Sequence, residues 1–242
     1  MNLKIVSIAA LSMMTFSEQV NAQVPNLKKT VEERIPLSKN KPSLSEDEVG
    51  KGLKEALNKG IEKGVSQLSA KDGYFTDLSV KVLMPEEAEA IESKLRAVGQ
   101  GKLVDDVIES LNRAAEDAAN SSKELFISAI KNLTLKDVMA ILNGEDNAAT
   151  SYLSNQTRAD LVLKFTPIIK ASLDKVGATQ KWALMMNTYN KIPLVKKVNP
   201  DLVDYATNKA IDGLFVKIAK EELEIRKNPA ARTSDLLKKV FN

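Results

Sequence analysis

The chain has 242 residues, 43% of them hydrophobic, with Lys+Arg 35 against Asp+Glu 32 and a formal net charge of +3. That content suffices for a packed core, whereas so balanced a charge lacks the phosphate-neutralising surface of a nucleic-acid binder. With no His and no Cys, the usual zinc sites, His-ligated haem, a Ser-His-Asp triad, a Cys nucleophile and disulfides are excluded. Any catalysis would rest on paired carboxylates, a Ser/Lys pair, or Mg or Ca held by oxygen ligands, and no cofactor is expected.

The first 23 residues, MNLKIVSIAALSMMTFSEQVNAQ, read as an export signal. Lys4 is the charged start, Ile5 to Phe16 the apolar stretch, and Val20-Asn21-Ala22 a small-residue cleavage region, so cleavage is expected after Ala22. The apolar stretch is too short to span a bilayer, which takes about 20 residues. The expected mature product is periplasmic or secreted and soluble, without a stable membrane span. Residues 23–43, broken by Pro25, Pro36 and Pro42, read as a flexible linker, and residues 44–242 as a single helical domain.

Ser45 and Glu48 have capping-box spacing, and Val49, Leu53, Ala56, Leu57, Ile61 and Leu68 follow a helical period, predicting a helix from Glu46 to Ser69. Gly52, Gly60 and Gly64 within it imply close approach of another helix or of a ligand. Asp72-Gly73 supplies a turn, and the extended character of LSVKVLM predicts a short β-strand or β-hairpin near residues 74–84. Aligned as a calcium loop, the turn puts Leu68 and Ala70 at ligand positions and Ser79 where Glu is needed, so it fails.

The remainder reads as helix after helix: Pro85 to Val98, Lys102 to about Leu133, and Leu135 to Asn143 capped by Thr134 and Asp137. A helix from about Thr157 to Val176 contains Pro167, expected to kink or split it. TQKWALMMNTYNK carries the only Trp. Asn199 and Pro200 should cap a long helix to about Lys227, NPAART breaks it, and a last helix docks through Leu236, Leu237, Val240 and Phe241. No fixed-period repeat is present, so the fold class is mainly α, an irregular multi-helix bundle.

Within the third helix, SLNRAAEDAANSS interleaves alanines with polar groups. Asn112, Glu116 and Asn120 share a face, and Arg113 reaches Glu116 or Asp117 at helical spacing. Ala114, Ala115, Ala118 and Ala119 admit a close neighbour. The group reads either as a polar network tying segments together, with Asp72 or the NPAART turn as partners, or as a ligand-binding patch. Glu109-Ser110 has the Glu-Ser pair of lytic transglycosylases, but the Gly-Leu-Met-Gln stretch expected after it is missing. Near the end, Arg226, Lys227, Arg232, Lys238 and Lys239 complement helix C-terminal dipoles, or else face an anionic surface.

Taken together, GLKEALNKGIEKGV, DGYF, NRAAEDAA, AATSYL, DLVDYATNKAIDGLF and IRKNPAARTSDLLKKVF resemble an uncharacterised bacterial envelope family, domain of unknown function 4197, over about Leu44 to Phe241. The resemblance implies an exported, mostly helical single domain and implies no activity. Its shared polar positions correspond here to Asp72, Tyr74, Asn112, Arg113, Glu116, Thr150, Asp212, Arg226 and Arg232. Members are often lipoproteins, and this chain lacks the lipidated Cys.

The expectation is a non-catalytic exported helical protein that binds an envelope protein or a small ligand. Its candidate polar network or ligand-binding residues are Asn112, Arg113, Glu116, Asp72, Tyr74, Arg226 and Arg232, with no metal. The alternatives are a carboxylate-dependent glycan hydrolase of the envelope, and a carrier of a lipid or other apolar molecule with a cavity lined by Leu184, Met185, Met186 and Phe215.

Overall fold

The computed structural model describes residues 44–191, 194, 197, 199 and 201–241, with Met185, Thr188 and Tyr189 described by backbone alone. The expected export signal, its cleavage point and the linker lie outside the described residues, as does Pro200. The helices are α1 (Glu46–Ser69), α2 (Glu89–Ala97), α3 (Gly101–Ala119), α4 (Lys123–Lys131), α5 (Leu135–Leu142), α6 (Ala148–Lys175), α7 (Ala178–Tyr189), α8 (Leu202–Lys227) and α9 (Asp235–Val240). The chain is a mainly α multi-helix bundle, and none of these helices is long and apolar enough to cross a membrane.

Helix α6 packs on α8 and α3, α1 on α8, and α4 closes over α1 and α6. The core between them is built from residues such as Leu53, Leu111, Leu161, Phe165, Ile211 and Leu214, with Phe126 edge-on to Phe215 at 5.9 Å. Leu237 of α9 is buried against Ala56 and Ile225, with Phe241 beside it, so the C-terminal helix docks as its apolar pattern predicts. Three of the α1 glycines face helix side chains: a Cβ on Gly52 would lie 2.6 Å from Val240 Cγ2, one on Gly60 3.6 Å from Glu221 Cβ, and one on Gly64 3.7 Å from Lys217 Cγ.

Local signals place α1 and α5 as predicted, each with a complete capping box, Ser45/Glu48 and Thr134/Asp137. Elsewhere the structure corrects the pattern. The helix expected from Lys102 to Leu133 breaks at a 3-10 turn, Asn120–Ser122. Ser121 and Ser122 hydroxyls there donate to Ala118 and Ala119 carbonyls at 2.7 Å, competing with the helical ladder.

Helix α6 starts at Ala148, well before Thr157, because Glu222 of α8 receives its first amides. It also runs unbroken through Pro167. Pro167 and Leu163 are both exposed, so the carbonyl that Pro167 cannot serve is open to water. Helix α8 is capped by Asp201, which accepts from Val203 and Asp204 amides, while Asn199 supports the Asp201 amide at 2.9 Å.

The hairpin expected near residues 74–84 does not form. Two turns lead into an extended run, residues 81–85, that pairs with no strand among the described residues. Its partners are side chains: Asn112 Oδ1 accepts from the Val82 amide at 2.8 Å, Asn112 Nδ2 donates to the Val82 carbonyl at 2.7 Å, and the Tyr205 hydroxyl donates to the Leu83 carbonyl at 2.9 Å. A primary amide thereby supplies the donor and acceptor that a neighbouring strand would offer.

Candidate functional site

The polar residues of α3 build a clamp on the segment that follows α1. Ala114, Ala115, Ala118 and Ala119 are fully buried and let α3 sit closely among α1, α6 and α8. The polar side then meets the loop. Glu116, only 5% exposed, accepts the Tyr74 and Phe75 amides on Oε1 at 3.1 and 3.2 Å, and Arg113 Nη1 on Oε2 at 2.8 Å. Arg113 continues to Asp72 at 2.7 Å and Glu109 at 3.2 Å, and its guanidinium lies 5.3 Å from the Phe75 ring centroid. Asn112 adds a donation to the Ile108 carbonyl at 2.7 Å.

The backbone geometry explains the Asp72-Gly73 turn. Asp72 has φ +70, in the region that short polar residues tolerate. A Cβ on Gly73 would lie 2.2 Å from the Gln67 carbonyl oxygen, so only glycine fits. Tyr74 is buried beyond it, its hydroxyl donating to the Ala210 carbonyl at 2.7 Å. Burial, with the Glu116 carboxylate nearby, pushes that phenol well above its ordinary range. The ring lies against Gly213, where a Cβ would stand 2.7 Å from Tyr74 Cε1.

Arg226 and Arg232 do not join this clamp. Arg226 pairs with Glu222 at 2.8 Å and donates to the Ile141 carbonyl at 2.8 Å. Glu222 in turn accepts the Ala149 and Thr150 amides at 3.0 and 2.8 Å, and the Thr150 hydroxyl at 2.8 Å, capping α6 from another helix. Arg232 donates to the Ile225 and Arg226 carbonyls at 3.0 and 2.7 Å, closing the end of α8. The NPAART turn is therefore a partner of α8, not of Arg113. Asp212 forms an exposed pair with Arg158, Asn120 lies exposed in the 3-10 turn, and Asp117 receives the Ser172 hydroxyl.

Sequence reasoning missed Glu222, although Glu222 and Arg226 have helical pair spacing. It also missed Asp77, which accepts Lys217 at 2.8 Å and the Ser79 amide and hydroxyl. The Lys217 ammonium and the Ser79 hydrogen bonds hold the Asp77 carboxyl at about 2. No group of three or more carboxylates placed to hold a metal ion occurs among the described residues.

Grooves open on the surface among the described residues, one of them onto Arg113 of the clamp. A groove of about 670 Å³ between residues 79–89 and α8 mixes charges, among them Lys81, Glu86, Glu87 and Lys209. A second of about 410 Å³ lies among α2, α3 and α7 and is walled almost entirely by hydrocarbon: Met84, Leu95, Leu103, Val107, Trp182 and Leu184, with Lys181 as its single charged residue among the described residues. It shares Leu103, Val107 and Lys181 with a polar groove of about 420 Å³, onto which Glu109, Ser110 and Arg113 open. The residues expected to line one cavity do not converge. Met186 and Phe215 are buried in the core, Leu184 is 73% exposed on this groove, and the Met185 side chain is not described.

A family model described as "Protein of unknown function (DUF4197)" matches residues 43–242. No curated protein and no solved structure matches the chain.

Proposed function

The chain belongs to the DUF4197 family, and from that premise we propose that it is a non-catalytic binding protein of the cell envelope, exported by its N-terminal signal, whose binding surface is the apolar groove among α2, α3 and α7. The observation that carries this reading is a hydrocarbon groove left open on a frame whose buried carboxylates are tied to structure. Leu184 and Leu103 stand 73% and 40% exposed there, and each Å² of apolar surface left in water costs about 25 cal/mol. Contiguous apolar surface of this kind marks binding sites.

The carboxylates argue in the same direction. A general acid needs a proton and an oxygen open to substrate. Glu116 and Glu222 instead each accept two backbone amides and an arginine. Native mass spectrometry of the protein taken from the periplasm of its own host tests the reading. A co-purifying small molecule, lost on Val107→Glu in the groove, is the expected result. Ligand-free protein from the host, or turnover of a glycan that is lost on Glu116→Gln, overturns it.

A further inference from the structure

We infer that the groove takes a single-chain amphiphile with an acidic headgroup, its chain against Leu95, Val107 and Trp182 and its anion at Lys181. This rests on the groove being the binding surface, and adds the ligand class. The walls offer almost no hydrogen-bonding group, so a polar ligand would lose its water without replacement. Trp182 directs its indole N–H away to the Asn199 carbonyl at 3.3 Å, leaving the ring as hydrocarbon. The volume falls within the roughly 300–1,000 Å³ of small-molecule sites.

The charge at the rim selects the headgroup. Lys181 is exposed and has no carboxylate partner among the described residues. The acids on the adjoining polar groove are already paired, Asp106 with Lys102 at 2.8 Å and Glu109 with Arg113 at 3.2 Å. Lys181 therefore presents an uncompensated ammonium where hydrocarbon gives way to water, and Leu184, three residues on, lies on the same face of α7. A carboxylate or phosphate monoester on one alkyl chain satisfies both halves. A bilayer surface fits less well, because Trp182 is recessed at 2% exposure rather than projecting.

Trp182 is the only tryptophan, which makes its fluorescence a reporter of the groove. The full chain is titrated with 9,10-dibromostearate below its aggregation concentration, followed by displacement with laurate, dodecanol or dodecyltrimethylammonium. Bromine quenching is expected, with laurate displacing at least roughly threefold more tightly than dodecanol, the scale of an exposed ion pair. Lys181→Glu should abolish that preference and favour the cationic amphiphile. Lys220→Glu, the same charge change at an exposed α8 position, should leave it intact, with far-UV circular dichroism confirming that both variants fold.

Equal displacement by dodecanol and laurate, unchanged by Lys181→Glu, overturns the acidic headgroup and leaves the groove as a binding surface. Absence of quenching in folded protein overturns both. Quenching seen only when brominated lipid is presented in vesicles overturns the monomeric amphiphile in favour of membrane contact.

Discussion

Removing the Glu116 carboxylate should be one of the most damaging single changes in the molecule, and the size of the loss can be worked from its contacts. Glu116→Ala strands the Tyr74 and Phe75 amides and one arm of Arg113. Hydrogen bonds to a charged group contribute roughly 1.5–3 kcal/mol each, and deleting one partner of a buried ion pair costs roughly 3–5 kcal/mol. These overlap, and Arg113 keeps Asp72 and Glu109 with a side chain 27% exposed to water. The expected loss is therefore about 3–4 kcal/mol. Glu116→Gln keeps an acceptor for both amides but turns an NH2 group toward Arg113, losing that hydrogen bond as well as the charge, so about 1–3 kcal/mol is expected. Urea unfolding followed by far-UV circular dichroism gives both values, and faster exchange of the Tyr74 and Phe75 amides in Glu116→Ala should accompany them. The clamp is refuted if both variants lie within about 0.5 kcal/mol of the parent, or if Gln is as costly as Ala.

The Asp77–Lys217 pair should be visible in the pH dependence of stability. Its carboxyl sits at about 2 against an ordinary 3.8, so its stabilisation is complete above pH 3.8 and lost as pH falls toward 2. Asp77→Asn should be less stable than the parent by at most about 2 kcal/mol near neutrality, and urea midpoints of the two should converge on acidification; a constant gap would remove the pair as the cause. Gly213→Ala would place a Cβ 2.7 Å from the buried Tyr74 ring and 3.2 Å from Val80 Cβ, whereas Gly60→Ala meets nothing nearer than 3.6 Å. The first should destabilise by about 1–3 kcal/mol and the second stabilise by up to about 1 kcal/mol, and thermal melts showing the same sign for both would contradict the packing. Glu222→Ala uncaps α6 from across the bundle and strips Arg226, for an expected loss of roughly 3–5 kcal/mol, against about 1 kcal/mol for Thr150→Val; equal urea midpoints for these two variants would show that the carboxylate contributes no more than the hydroxyl.

How much of this fold was legible follows from where each element's partners sit in the chain. The ends of α1 and α5 are set by residues three apart, Ser45 with Glu48 and Thr134 with Asp137, and both were readable. The start of α6 was not, because the carboxylate that receives its first amides, Glu222, lies more than seventy residues away. The segment around LSVKVLM shows the division within one stretch. Its period of two is real, since Val80, Val82 and Met84 are buried while Leu83 is exposed. Periodicity reports which face is covered, not by what. Here Asn112 takes the place of a strand, and no local pattern marks an asparagine thirty residues downstream for that role.

The candidate site divides in the same way. The contacts of Asp72, the Tyr74 amide, Asn112, Arg113 and Glu116 follow from α3 presenting its polar residues at helical spacing to the turn after α1. Arg226 and Arg232 entered through the family resemblance and the NPAART turn, and their contacts lie at the C-terminal end of α8. The α3 side chains are conspicuous in sequence because charge and amide groups are unusual beside alanines. Asn112, Glu116, Arg226 and Arg232 act on backbone groups, while Arg113 and Asp72 act on other side chains. The open groove is the reverse case. Its walls come from Met84, Leu95, Leu103, Val107, Trp182 and Leu184, each of which reads in isolation as core. Helical spacing divides the two sides of α7: Trp182 and Met186 are four apart and both buried, Trp182 meeting the groove only from its recessed side, whereas Lys181 and Leu184 are three apart and both exposed. Leu184 and Met186, two apart, cannot line one cavity. An amphipathic helix such as α7 that turns apolar residues to both sides has more hydrocarbon than its own packing uses, and that surplus, next to a lysine with no carboxylate partner among the described residues, points more directly to a ligand than the buried charges do.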